Sequence, residues 1–146
     1  MTDHRPLELE HFLPYRLSVL SNTLSQDIAR EYHSRFGLSI TEWRAMAVLA
    51  RFDQDELSAR QVAERTAMDK VAVSRAIGKL VSRGLTSRKI HQDDRRCSVL
   101  TLTQKGWFIH NQVAPLARRY EREVLQKLTA VEHVWLNRIL DKLSPM

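Results

Sequence analysis

Residues 58–103 read SARQVAERTAMDKVAVSRAIGKLVSRGLTSRKIHQDDRRCSVLTLT, and the predicted fold rests on this segment. It holds ten Lys or Arg and four Asp or Glu, which is a surplus of six positive charges. Because the whole chain of 146 residues has a net charge of +6, the residues outside this stretch have equal numbers of positive and negative charges. Positive potential that is focused on one segment attracts a polyanion such as DNA.

The start of this stretch predicts two short helices with a turn between them. Ser58 and Gln61 have the spacing of a capping box, so a first helix is expected over about residues 59–65. Asp69 is a suitable N-cap for a second helix, which should end before Gly84, since glycine tolerates the positive φ of a helix C-terminus. The pattern is that of a helix-turn-helix.

The second helix has an apolar face and, opposite to it, a face of small and polar residues. The residues that we expect at the DNA major groove are Lys70, Val71, Ser74, Arg75, Gly78 and Ser82. Small side chains let a helix lie deep in the groove, where Ser74 and Arg75 can hydrogen-bond base edges or phosphates. On its own Arg75 would be an ordinary solvated charge, so this interpretation depends on the helix-turn-helix around it.

Past Gly84, β-branched and alternating residues on each side of a polar tip predict a two-stranded hairpin. The DNA contacts expected on it are Arg88, Asp94, Arg95 and Arg96. An Arg on such a hairpin can enter a narrow A·T minor groove while a neighbouring Asp holds its guanidinium. The predicted fold is therefore mainly α with a small β-hairpin wing, a winged helix-turn-helix lobe at about residues 39–103.

Long helices with apolar stripes are predicted on both sides of this lobe, at about residues 10–37 and 104–144. Residues 1–146 are expected to form a single domain. The stripes have more apolar surface than one short chain can obviously cover, which favours a homodimer. Twofold symmetry would also place two recognition helices one DNA turn apart. The alternative is that these helices pack on the winged lobe of their own chain.

The chain resembles the MarR family of bacterial transcription regulators. The resemblance is carried by Asp94-Arg95-Arg96 followed by Leu102-Thr103 and Gly106, by Val73-Ser74-Arg75, and by residues 80–85. It implies that Arg75 contacts the major groove, that Arg96 contacts the minor groove, and that Asp94 orients Arg96. It also implies dimers formed through the N- and C-terminal helices. The peroxide-sensing branch has a cysteine in its first helix, and this chain has only Cys97, whose redox role stays open.

The resemblance further implies a small-molecule site between the paired helices and the DNA-binding lobe. Its candidate lining residues are His11, Tyr15, Arg16, Trp43 and Arg44. An Arg beside aromatic rings suits an aromatic acid, a thioester or a related anion. Alternatively, Arg16 and Arg44 pair with acids such as Glu42 and have a structural role.

Other classes of protein are disfavoured by the sequence. It has no recognisable signal peptide and no apolar run long enough for a membrane span, and its single cysteine favours a reducing cytoplasm. The six histidines are dispersed without metal-ligand spacing, and catalytic and phosphate-loop motifs are absent, so no metal, cofactor or enzyme activity is predicted. The predicted function is a DNA-binding repressor relieved by a ligand. The rival is a winged-helix module that binds nucleic acid non-specifically or docks an acidic protein.

Overall fold

A computed structural model describes residues 3–90 and 98–145 of the chain. The described residues form six α-helices and one antiparallel hairpin, so the mainly α winged-helix prediction is confirmed. The helices are α1 (Leu13–Phe36), α2 (Ile40–Arg51), α3 (Ala59–Thr66), α4 (Lys70–Ser82), α5 (Gln104–Leu125) and α6 (Ala130–Leu143), and the strands are β1 (Thr86–Ile90) and β2 (Ser98–Leu102). Short 3-10 turns lie at Leu9–His11 and Asp53–Asp55.

The helix ends follow the local capping signals. Capping boxes begin α2 at Ser39, α3 at Ser58 and α6 at Thr129, each with its side chain bonded to the amide three residues later. Gly37 ends α1 with φ of 66°, a left-handed conformation that glycine adopts without steric cost. α1 starts at Leu13, later than the predicted residue 10, and Pro14 lies in its first turn, where a missing amide hydrogen costs nothing.

The chain divides into two compact units, residues 1–111 and 112–146. In the first unit α2, α3 and α4 pack together against the hairpin. Its core is formed by apolar side chains that are at most 3% exposed, among them Met46, Leu49, Val62, Val73, Ile77, Leu80, Leu85 and Leu100. These side chains fix which face of α4 points inward.

The hairpin pairs β1 with β2 in an antiparallel register that places Ser87 opposite Thr101. The hydroxyl oxygens of these two residues lie 3.0 Å apart in a hydrogen bond. The middle of β2 is also tied to the segment before α3, because the Leu100 amide donates to the Leu57 carbonyl oxygen at 2.9 Å. Leu57 is buried, so this loop belongs to the core of the winged lobe.

The second unit contains the later part of α5 and all of α6. Every residue of α6 is exposed in the single chain, although the helix is rich in large apolar side chains. The exposed apolar residues include Val131, Val134, Trp135, Ile139 and Leu143. In the first unit, the first half of α1 is likewise exposed at Leu13, Leu17 and Leu20.

Candidate DNA-binding surface

The orientation of α4 is set at its start and along its buried face. Asp69 is the N-cap, and its carboxylate accepts from the Ala72 amide at 3.0 Å. The buried face carries Val73, Ala76, Ile77 and Leu80, whereas Val81 is only partly buried. The sequence pattern places Val73, Ile77, Leu80 and Val81 on the apolar face, but in the structure Ala76 is buried there and Val81 lies at its edge.

The opposite face of α4 points to solvent and holds the residues predicted at the major groove. Lys70, Val71, Ser74, Arg75 and Ser82 are exposed, and Gly78 is half-buried. Val71 is 57% exposed, so its methyl groups are accessible from solvent on this face. The Ser82 hydroxyl donates to the Gly78 carbonyl oxygen at 3.0 Å, so its oxygen remains available as an acceptor.

This face is positively charged. Arg75, Gly78, Lys79, Ser82 and Arg83 line an open depression of about 750 Å³ together with Gly37 and Glu42. Within residues 3–90 and 98–145, no acidic side chain forms an ion pair with Lys70, Arg75 or Lys79. The Glu42 carboxylate instead accepts from the Ser39 amide in the α2 capping box. The surface is thus suited to an anion.

The described part of the wing adds further cations to the same lobe. Arg88 and Lys89 lie on β1 and are exposed, and neither has an ion-pair partner among the described residues. Asp94, Arg95 and Arg96 at the predicted tip lie outside the described residues, as does Cys97. Their predicted roles stay predictions.

The Thr103 and Gly106 pair has a structural role at the junction between the wing and α5. The Thr103 hydroxyl donates to the Gly84 carbonyl oxygen at 2.6 Å and accepts from the Gly106 amide at 3.0 Å. The Thr103 amide donates to the Leu85 carbonyl oxygen at 3.0 Å. One threonine therefore caps α5 and fixes it to the chain that leaves α4.

Arg83 follows α4 and has a role that the sequence did not indicate. Its guanidinium donates to the carbonyl oxygens of Phe36 at 2.6 Å and Gly37 at 3.3 Å. The sequence places a basic residue before Gly84, which is a typical helix end, but the partners lie 46 and 47 positions away. No local pattern could have identified them.

The predicted ligand-site residues fall into two groups. His11, Tyr15 and Arg16 are exposed, His11 in the 3-10 turn and the others in the first turns of α1, whereas Trp43 and Arg44 are half-buried on α2. Among the described residues, no hydrogen bond, ion pair or ring contact joins the two groups. The proposed cleft is therefore not assembled by direct contacts within one chain.

The first group has local contacts only. His11 Nδ1 lies 3.1 Å from a Glu8 carboxylate oxygen, and ligand-type atoms of Glu8, Glu10 and His11 lie within 4.8 Å of one another. All three side chains are exposed, and exposed acidic groups commonly cluster in this way without a metal.

The second group belongs to an aromatic cluster. The Trp43 ring stacks on His110 at 5.5 Å between centroids and lies 6.0 Å from Tyr32 in a tilted arrangement. Trp107 meets His110 edge-on at 5.4 Å. These contacts link α2 to the start of α5, and the i, i+3 spacing of Trp107 and His110 was the one sequence signal for them.

Arg44 lies beside this cluster and donates to the Ser25 hydroxyl at 3.0 Å. The predicted alternative partner, Glu42, is occupied by the capping box. Burial raises the pKa of Tyr32 to about 12, and the charge of Arg44 offsets part of that rise. The cluster thus combines aromatic rings with a half-buried cation.

Comparisons with known proteins agree with this geometry. A sequence model of the MarR family matches residues 36–96. The HTH-type transcriptional regulator PapX of Escherichia coli is 24% identical over 123 residues, which cover 84% of this chain and 74% of PapX. In the described part of the chain no helix combines the length and apolar character of a bilayer crossing.

Solved structures match along nearly the whole chain. A MarR/EmrR family transcriptional regulator from Acinetobacter sp. ADP1 is 26% identical with a TM-score of 0.83, over 94% of this chain and 95% of that one. Bordetella bronchiseptica BpsR, whose DNA binding is regulated by 6-hydroxynicotinic acid, is 22% identical with a TM-score of 0.80, over 97% and 99% of the two chains. The matched proteins are regulators and not enzymes. Residues 36–96 thus match the MarR family, and the chain has the fold of MarR-family winged-helix transcriptional regulators.

Proposed function

We propose that this regulator is a cytoplasmic homodimeric repressor that binds a palindromic operator and is released by a small anionic aromatic ligand. The observation that carries the proposal is the solvent-facing side of α4, where Arg75 is exposed and unpaired among the described residues. An exposed helix of small and polar residues with one unpaired Arg is suited to reading base edges in a major groove.

The wing complements α4 in this proposal. Arg88 and Lys89 are exposed cations on β1, and each phosphate that such a cation neutralises strengthens binding by releasing counterions. We assign Arg96, with Asp94 and Arg95 beside it, to the adjacent minor groove. In this arrangement α4 supplies sequence specificity and the wing supplies affinity and orientation.

The homodimer is supported by apolar surface that a single chain leaves uncovered. Large apolar side chains are exposed along α6 and along the first half of α1. Such surface is unfavourable in water and marks an interface with a partner. A second copy would cover it, and a twofold axis would present two α4 helices to two half-sites of one operator.

The ligand site is assigned to His11, Tyr15, Arg16, Trp43 and Arg44. In one chain Trp43 and Arg44 already provide an aromatic surface beside a cation, which suits an aromatic carboxylate. The regulation of BpsR by 6-hydroxynicotinic acid supports a ligand of this chemistry. Release of DNA requires only that the ligand prefer a spacing of the two α4 helices that does not match the operator.

Selection from a random duplex pool, followed by competition, tests the DNA-binding function. The selected site should be palindromic and should outcompete random duplex by about a thousandfold or more at one fixed salt concentration. Equal affinity for every duplex would contradict the proposal and favour a module that binds nucleic acid non-specifically.

Ligand control is tested separately with aromatic acids and their thioesters. At least one of them should lower operator affinity of the wild type, and Arg44→Lys should weaken that response more than Arg118→Lys, an exposed position in the second unit. Lys keeps the charge at both positions but loses the planar guanidinium. Release by ligand is excluded if no compound of either class changes operator affinity.

A further inference from the structure

The guanidinium of Arg83 connects the end of α4 to the end of α1. It donates to the Phe36 carbonyl oxygen at 2.6 Å and to the Gly37 carbonyl oxygen at 3.3 Å. Carbonyl groups in the last turn of a helix have no partner within that helix, and they form the negative end of its dipole. Arg83 therefore satisfies two acceptors of α1 from a different element.

Arg83 is also fixed at its own backbone. Its amide donates to the Lys79 carbonyl oxygen at 3.0 Å, which closes the last turn of α4. Its carbonyl oxygen accepts from the Lys105 ammonium at 3.3 Å in the first turn of α5. One residue thus contacts the ends of α1 and α4 and the start of α5.

We propose that Arg83 is a positioning residue, which sets the location of α4 relative to the end of α1 and supports operator binding without contacting DNA. The inference rests on the proposed function, in which α4 reads the operator. Because α1 also carries exposed apolar residues assigned to the dimer, Arg83 would transmit the placement of the dimer helices to the recognition helix.

The geometry distinguishes Arg83 from the neighbouring cations. Lys79 and Arg75 line the same depression but have no ion pair or side-chain hydrogen bond among the described residues. They are available to a phosphate. One N–H on each terminal nitrogen of Arg83 is directed at a backbone oxygen, so its guanidinium is held in one orientation.

The first experiment compares Arg83→Lys, Arg83→Ala and the matched control Lys79→Ala in operator binding over a range of salt concentrations. The lysine ammonium carries its donors on one nitrogen and lacks the planar fork by which two separate nitrogens of Arg83 each reach one carbonyl oxygen. Arg83→Lys should therefore weaken operator binding about tenfold with an unchanged salt dependence. Lys79→Ala should lower the slope of log affinity against log salt by about 1.

The opposite pattern would overturn the inference. If Arg83→Lys binds as the wild type does and Arg83→Ala lowers the salt slope, Arg83 is a phosphate contact. Circular dichroism and thermal unfolding of each variant establish that the compared proteins are folded. Arg83→Lys retains the charge and most of the side chain, so it serves where Arg83→Ala does not fold.

A second measurement needs no DNA. The Gly37 amide donates to His33 at the end of α1, and the Leu85 amide donates to Leu80 at the end of α4. In Arg83→Lys, hydrogen exchange at both amides should be faster than in the wild type, and in Lys79→Ala it should be unchanged. Unchanged exchange in Arg83→Lys would refute the positioning role. If hydrogen exchange is faster in Arg83→Lys but the wild type shows no preference for an operator, the proposed function is refuted, whereas the positioning contact of Arg83 is supported.

Discussion

Gly106 lies so close to Leu85 that a Cβ atom at position 106 would be 2.1 Å from the Leu85 carbonyl oxygen. The obstacle is backbone, which cannot turn away as a flexible side chain could. The same carbonyl accepts from the Thr103 amide, so its position is fixed from both sides. Glycine at position 106 therefore allows α5 to begin against the chain that leaves α4.

Replacing this glycine should destabilise the fold. Gly106→Ala is expected to lower the free energy of unfolding by about 1–3 kcal/mol, because the added methyl group must displace backbone. Chemical denaturation measures the change. Gly78→Ala is the matched control, since nothing lies within 4 Å of its Cβ position, and alanine should raise helix stability by up to about 1 kcal/mol. A similar loss in both variants would show that close packing is not the cause.

The ends of the helices were predictable because their determinants are local. Ser39, Ser58 and Thr129 each cap a helix through a residue only three positions away. The hairpin and the outward face of α4 were predictable for a similar reason, since alternation and helical periodicity are read within one element.

Contacts between distant parts of the chain were not predictable. Arg83 bonds to Phe36, and the Leu100 amide bonds to Leu57. These residues are too far apart in the sequence for a periodic pattern to indicate that they pair. Trp43 was predicted as a candidate ligand-lining residue, but its stacking partner His110 was considered only one of several dispersed histidines. Such pairs are fixed by the packing of whole elements, so the fold was more predictable than the composition of the site.

Arg75 should carry base discrimination. Arg75→Ala is expected to reduce the preference for operator over random duplex by about 1–3 kcal/mol, because a base edge loses its hydrogen-bond partner. Competition binding at fixed salt measures this preference. Arg60→Ala removes the same charge from α3, where Arg60 is exposed and pairs with Glu64 at 3.3 Å. The control should change the preference by no more than about 0.5 kcal/mol, and equal losses would place the specific contact elsewhere.

Tyr32 should make the fold sensitive to alkaline pH. Burial raises its pKa from 10.0 to about 12 in the folded chain. Between these pH values the unfolded chain releases the phenolic proton while the folded chain keeps it. The contribution of Tyr32 to the free energy of unfolding is therefore complete below pH 10 and is lost as the pH rises toward 12.

The matching measurement is urea denaturation at neutral and alkaline pH. The wild type should lose up to about 3 kcal/mol more stability over the alkaline window than Tyr32→Phe, which cannot ionise there. Tyr15→Phe serves as the control because Tyr15 is exposed on α1 and should leave the wild-type pH dependence unchanged. Identical profiles for the wild type and Tyr32→Phe would contradict the expectation.

The exposed apolar face of α6 should be the surface that joins two chains. Ile139 on α6 is 48% exposed, and Ile90 on the wing is 71% exposed, yet only Ile139 lies on an extended apolar helix face. Placing a carboxylate in an apolar interface is costly because the charge loses its hydration. Ile139→Glu should therefore sediment as one chain of 17.0 kDa at micromolar concentration, whereas the wild type and Ile90→Glu should sediment at twice that mass. A wild type that sediments as a single chain, or an Ile139→Glu variant that still pairs, would require the two α4 helices to be brought to the operator by a different surface.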